Sequence, residues 1–205
     1  MTYQEFRKAI FEPGCFNINQ VNVWHPGFDK NNLGRWVKKG LIIKLKNGLY
    51  SFPDYLQQPD FSFYLANQIY KPSYISLHSA LAFYGMIPEA IVQVTSVTSL
   101  KTNLFTNKFG SFSYKSVQEK LMFGYDIKSM SGSRTFHLAK PEKALLDLLY
   151  LYPFYDTEDE MVNLRLDEDF IHNDFDHGIF ETFLAQFNSK ALEYRVKKLV
   201  KAYRL

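Results

Sequence analysis

Asp29-Lys30-Asn31-Asn32-Leu33-Gly34-Arg35-Trp36-Val37-Lys38-Lys39-Gly40-Leu41-Ile42-Ile43-Lys44-Leu45-Lys46-Asn47-Gly48-Leu49-Tyr50-Ser51-Phe52 changes its period half-way along. Up to Lys39 the apolar residues recur at helical spacing, with Asp29 as a good N-cap and Gly40 just past the last turn. After Gly40 the period is two. Leu41, Ile43 and Leu45 share one face, Lys44 and Lys46 stand on the other, and Asn47-Gly48 is the strongest short hairpin signal. Upstream, Tyr3 to Glu12 reads as a helix with Phe6, Ile10 and Phe11 inward, stopped by Pro13-Gly14. Asn17 or Asn19 is placed to cap a second helix through Val21 and Trp24, which His25-Pro26-Gly27 ends. Three short helices followed by a hairpin is the plan of a winged helix-turn-helix domain, assigned to residues 1–55.

The third helix carries the most chemical information. With Leu33 at the origin and about 100° per residue, Trp36, Val37 and Gly40 fall within about 60° of it and form the buried face. Asn31, Arg35 and Lys38 lie roughly 140–200° away, with Asn32 and Lys39 on the flank. An outward face of amides and cations suits double-stranded DNA: Arg pairs with guanine, Asn with adenine, and Lys with phosphate oxygens. Lys44 and Lys46 on the adjoining hairpin are placed to meet the phosphates beside the groove. The candidate DNA contacts are therefore Lys30, Asn31, Asn32, Arg35, Lys38, Lys39, Lys44 and Lys46.

Pro53-Asp54 through Pro59 reads as a linker, and residues 60–205 as an α+β domain. Helices are expected at Phe61 to Tyr70, after a Ser76 cap as far as Tyr84, from Pro141 through Tyr152, at Ile179 to Phe187 and at Ala191 to Tyr203. Strands are expected over 91–98, 111–116, 121–128 and 133–138, forming a small mixed or antiparallel sheet. Residues 154–176 read as an acidic stretch, partly helical at most. In the last helix Leu192, Val196, Leu199, Val200 and Tyr203 form a stripe that should pack on Ile179, Phe183 and Phe187, leaving its cations near the acidic stretch or in water.

The chain has 205 residues and a net charge of only +3, but the charge is sorted along it. Residues 1–56 hold eight Lys/Arg against four Asp/Glu, residues 156–181 hold ten acids against Arg165, and residues 182–205 hold six bases against Glu193. A basic head, an acidic stretch and a basic tail suggest more than one binding surface. No apolar run approaches the ~20 residues of a membrane span. The first residues lack a signal-peptide pattern, so a cytoplasmic location is expected. The lone Cys15 excludes an internal disulfide.

An enzyme would need parts that are hard to find. His172-Asn173-Asp174-Phe175-Asp176-His177 gathers potential metal ligands, but without helical ligand spacing it reads as a solvated loop. Asp156, Glu158, Asp159 and Glu160 read as an exposed acidic loop. Ser76-Leu77-His78-Ser79 makes a poor triad because helical neighbours diverge. Phosphate-cradling glycine motifs are absent from the sequence. We expect no catalysis, no cofactor and no metal.

Leu33 to Tyr50 resembles the N-terminal winged helix of the AbiEi family, the antitoxins of type IV toxin-antitoxin (abortive-infection) operons. Pro72-Ser73-Tyr74-Ile75-Ser76-Leu77-His78-Ser79-Ala80-Leu81-Ala82-Phe83-Tyr84-Gly85-Met86-Ile87-Pro88-Glu89 is similar to the second-domain signature of that family. A third match is Ala139-Lys140-Pro141-Glu142-Lys143-Ala144-Leu145-Leu146-Asp147. The resemblance spans about residues 3–152. It implies a transcriptional autorepressor whose winged helix binds its own promoter. It also implies a second domain that counters a nucleotidyltransferase-type toxin, with which it need not form a stable complex. Within the second motif, His78 and Glu89 read as structural. The competing class is a non-enzymatic interaction module that uses the winged helix as a protein-binding surface.

Overall fold

The computed structural model describes residues 1–90 and 92–203. The chain opens with helix α1 (Tyr3–Ile10), strand β1 (Cys15–Asn17), helices α2 (Ile18–Trp24) and α3 (Asn31–Lys38), and strands β2 (Ile43–Lys46) and β3 (Leu49–Ser51). Reciprocal capping boxes start α1 at Thr2 and Glu5, and α2 at Asn17 and Gln20. The strands form an antiparallel sheet in the order β1-β3-β2. Inside this head, Phe6 meets Trp36 at 4.6 Å, Phe16 at 5.1 Å and Phe28 at 5.7 Å between ring centroids. Strand β1 has no local signature in the sequence, being three residues long with a partner more than thirty residues away.

Residues 53–59 are not a free linker. Pro53–Gln57 forms a 3-10 turn, and Tyr55 within it is buried. Then follow α4 (Phe61–Ile69), β4 (Ser73–Ile75), α5 (Leu77–Phe83), β5 (Gln93–Thr98), β6 (Asn103–Asn107), β7 (Gly110–Ser116), β8 (Tyr125–Ser129) and β9 (Thr135–Ala139). These strands make one mixed sheet, in the order β6-β7-β5-β4-β9-β8, with parallel pairs β5/β7 and β4/β9. Strands β4 and β6 had no expectation behind them. Of the expected strand 121–128 only 125–128 is strand: a 3-10 turn over Glu119–Leu121 takes its first residue, and 122–124 are irregular. Ile91, the first residue of the expected strand 91–98, lies outside the described residues.

After β9 the described residues form five helices: α6 (Pro141–Leu151), α7 (Glu158–Val162), α8 (Glu168–Asn173), α9 (His177–Phe187) and α10 (Lys190–Tyr203). Proline at the first turn opens α6, and the side chains of Thr157, Asp167 and Asp176 cap α7, α8 and α9. The stripe on α10 is buried at Leu192, Val196, Leu199 and Tyr203, while Val200 remains 36% exposed. Its anchor is α7 more than α9: the Tyr203 hydroxyl donates to the Met161 carbonyl at 2.9 Å and accepts from the Leu166 amide at 3.1 Å. Lys198 and Lys201 pair with Asp156 and Glu158, so the basic tail does meet the acidic stretch.

Two charges sit in the core of the body. Lys143 and Asp147, one turn apart on α6, form an ion pair in which neither side chain reaches water. Asp147 Oδ2 also accepts from Tyr74 Oη at 2.9 Å and Ser76 Oγ at 2.8 Å, and Lys143 Nζ donates to Tyr74 Oη at 2.9 Å. Burial pushes the Asp147 carboxyl up and the Lys143 ammonium down, against the attraction between them. The Ser76 hydroxyl is thus committed to Asp147 and does not cap α5, contrary to expectation. Leu77, which follows it, takes a left-handed φ of 58° that a leucine adopts only under constraint. Exposed pairs such as Arg7–Asp54 contribute at most about 1 kcal/mol, whereas stranding one member of a buried pair costs about 3–5 kcal/mol. Asp147→Asn is therefore expected to destabilise the protein by about 3–5 kcal/mol in urea titration. The double change Lys143→Met with Asp147→Leu should cost clearly less than Asp147→Asn alone. A larger loss in the double variant would show that the charges, not their pairing, are what the core requires.

Candidate nucleic-acid interface

The face of α3 opposite its buried residues is open. Leu33 and Trp36 are buried, and Asn31, Arg35, Lys38 and Lys39 are exposed. Asn32 is half-buried on the flank, where its Oδ1 accepts from Arg35 Nη1 at 3.2 Å. Lys30 is exposed at the N-cap position, but it makes no capping hydrogen bond. The cap is displaced by one residue: Asp29 Oδ1 accepts from the Asn31 amide at 2.9 Å. The other oxygen of Asp29 lies 3.9 Å from Arg35 Nη1. An acid assigned only to capping thus also faces the principal base-reading candidate. The spacing of six residues, longer than any helical i,i+4 pair, hid that approach from the sequence.

The hairpin brings its lysines beside the helix in different states. Lys44 is exposed and Lys46 half-buried. Between them the ladder slips: Lys44 opposes Tyr50 and Lys46 opposes Leu49, leaving Leu45 in a bulge. The Leu45 carbonyl accepts instead from Nδ2 of Asn107, the last residue of β6, at 3.3 Å. The hairpin is thereby seated on the body.

A second set of interactions fixes the whole head. Tyr55 stacks on Phe61 at 4.4 Å with the rings 7° apart. The Arg134 guanidinium lies 5.0 Å from the Tyr55 ring centre, and its Nη1 donates to the Glu12 carbonyl at 3.0 Å and to Tyr55 Oη at 3.3 Å. Tyr64 Oη donates to the Pro13 carbonyl at 2.7 Å. Cys15, packed 3.6 Å from that hydroxyl, is buried, and burial raises its thiol pKa. It is a packing residue with no reactive thiolate character.

The motif residues His78 and Glu89 lie elsewhere, on a cavity of about 210 Å³. Burial lowers the His78 pKa, and its Nε2 sits 3.4 Å from Tyr155 Oη. His172 and His177 are exposed on α8 and at the start of α9, and no cluster of metal-binding side chains occurs among the described residues. No helix of the described residues is long and apolar enough to cross a membrane. The chain matches no known protein family, and no curated protein matches it significantly.

Gly14 shows how tightly the head is seated. Its φ is 81°, and a Cβ there would stand 2.9 Å from Phe61 Cε2 and 3.3 Å from Arg134 Cδ. Gly14→Ala should lower stability by about 1–3 kcal/mol through the left-handed backbone and overpacking at the seam. It should also speed proteolytic cutting between residues 52 and 60. Unchanged cutting there would mean that the seam does not depend on this close approach.

Proposed function

We propose that residues 1–55 form a winged helix-turn-helix domain that binds DNA upstream of the protein's own gene. The observation that carries this reading is the exposed face of Asn31, Arg35 and Lys38 on α3, next to a hairpin that presents Lys44. Supporting it are the helix order and the antiparallel β1-β3-β2 sheet. Residues 30–53 contain six Lys/Arg and not one Asp or Glu, so a phosphate track along α3 and the wing meets no repulsion within that segment. Asp29 holds Arg35 in the free protein and releases it when a guanine offers a better, bidentate partner.

The body, residues 60–205, is proposed as an antitoxin domain of AbiEi type that counters a nucleotidyltransferase-type toxin, with no catalysis of its own and in the cytoplasm. Two of the resembling segments support this, because they are parts of one construction. Tyr74 and Ser76 from the first bind Asp147 and Lys143 from the second.

A gel-shift titration against the upstream region of the gene is the direct test, and no shift at moderate salt would favour a protein-binding role for the head. Arg35→Ala should relax base preference and cost about 1–3 kcal/mol. Lys44→Ala and Lys46→Ala should weaken binding to all sequences alike, lowering the salt slope by about 0.9 for each phosphate no longer neutralised. If Arg35→Ala changes neither affinity nor preference, α3 does not lie in the groove. Asp29→Asn keeps an acceptor for the Asn31 amide and removes the charge, so it should tighten binding to every DNA tested; weaker binding would assign Asp29 a direct role in readout.

A further inference from the structure

Strands β4 and β9 run parallel but share a single ladder position, Ile75 opposite Leu138. Beyond it they part, and the side chain of Asn67 on α4 fills the gap. Its Nδ2 donates to the Ser73 carbonyl at 3.1 Å, and its Oδ1 accepts from the His137 amide at 2.6 Å. Beside this bridge lies a pocket of about 330 Å³ whose lining includes Gln68, Lys71, Tyr125, Thr135 and His137. The volume is within the range of small-ligand sites.

Two features give the pocket a chemical preference. The first is a column of near-parallel rings: Tyr74 stacks on Tyr125 at 4.9 Å and 17°, and Tyr125 stacks on His137 at 5.3 Å and 22°. Tyr125, the middle ring, and His137, the end of the column, line the pocket, where a planar heterocycle extends such a stack. The second is charge. The lining holds the exposed cation Lys71 and contains no carboxylate. Asp126, next in the chain to Tyr125, is drawn away to Lys140 at 3.5 Å and Lys128 at 4.0 Å. The side chains of Gln68, Lys71, Tyr125, Thr135 and His137 have no hydrogen-bond or ion-pair partner among the described residues, so all five are free for a ligand.

We propose that this pocket binds a phosphorylated nucleoside, with its base stacked on His137, its phosphate at Lys71, and its sugar or base edge met by Gln68 and Thr135. The site is separate from the α3 face and does not rest on DNA binding. Calorimetric titration of the full chain with AMP, GMP, CMP and UMP tests it, with adenosine and inorganic phosphate as controls. At least one mononucleotide should bind saturably, and more tightly than either control. Lys71→Ala and His137→Ala should each weaken that binding by about tenfold or more. His137→Phe, which keeps a ring in the column, should retain most of it, and melting temperatures establish that each variant is folded. A 5′-phosphorylated trinucleotide separates the sources: tighter binding than the mononucleotide supports the site as one for a strand end, equal or weaker binding as one for a free nucleotide. The proposal is overturned if no mononucleotide binds at millimolar concentration, or if binding survives both alanine changes. It is also overturned if adenosine or phosphate alone binds as well as the mononucleotide.

Discussion

The body is organised around two charges that cannot reach water. An isolated carboxylate in such a place is several kcal/mol less stable than in solvent, so α6 can dock only where Asp147 finds its donors. Those donors are fixed to other elements: Tyr74 to β4, and Ser76 to the step between β4 and α5. One turn of slippage along α6 would set Lys143 in the place of Asp147, or Asp147 in the place of Lys143 with Leu151 behind it, and the four groups could no longer all be paired. The pair therefore acts as a register pin for strand, turn and helix together. The left-handed Leu77 is a local cost of that arrangement, held in place because Ser76 is committed on one side and Leu77 is packed on the other.

The head depends on the body in a less central but equally specific way. It meets the body through Tyr55, Pro13, Glu12 and Leu45, which belong to turns and a bulge. Most of the apolar surface of the head's helices packs inside the head, while β1 meets Tyr64 through Cys15 and β2 meets Asn107 at its bulge. Much of the connection runs through main-chain carbonyls at turns and at the bulge, which side chains of the body can reach. The exposed face of α3 is consequently held in a defined direction relative to the six-stranded sheet.

Periodicity made most of the helices legible, because α1, α3, α6, α9 and α10 each carry several buried residues at helical spacing. It failed for β1 and β4, which have three residues each and too little alternation to detect, and for β6, whose residues are mostly exposed. Ser76 departs from the expected cap for a physical reason: a serine before an apolar helix usually caps it, and only the distant Asp147 diverts the hydroxyl. Tyr55 was hidden in a Pro-rich stretch whose composition resembles that of a linker. At the candidate interface the orientation of Arg35 and Lys38 followed from the helical angle alone. The approach of Asp29 to Arg35, the bulge at Leu45 and the anchoring of the hairpin by Asn107 depend on loops, and no local pattern encodes them. The pocket between β4 and β9 was equally invisible, since its residues come from three separated segments.

The distance along the chain between the head and its clasp has a consequence for biosynthesis. Ribosomes release the first 55 residues well before Asn107 and Arg134 have been made, and domains generally begin to fold in that order. During that interval the carbonyl of Leu45 lacks Asn107, and the carbonyl of Glu12 and the hydroxyl of Tyr55 lack Arg134. A nascent or prematurely terminated chain carries a head that is not yet seated. The seated form arises only on chains that already contain β9, so the orientation of the α3 face is coupled to near-completion of the sheet.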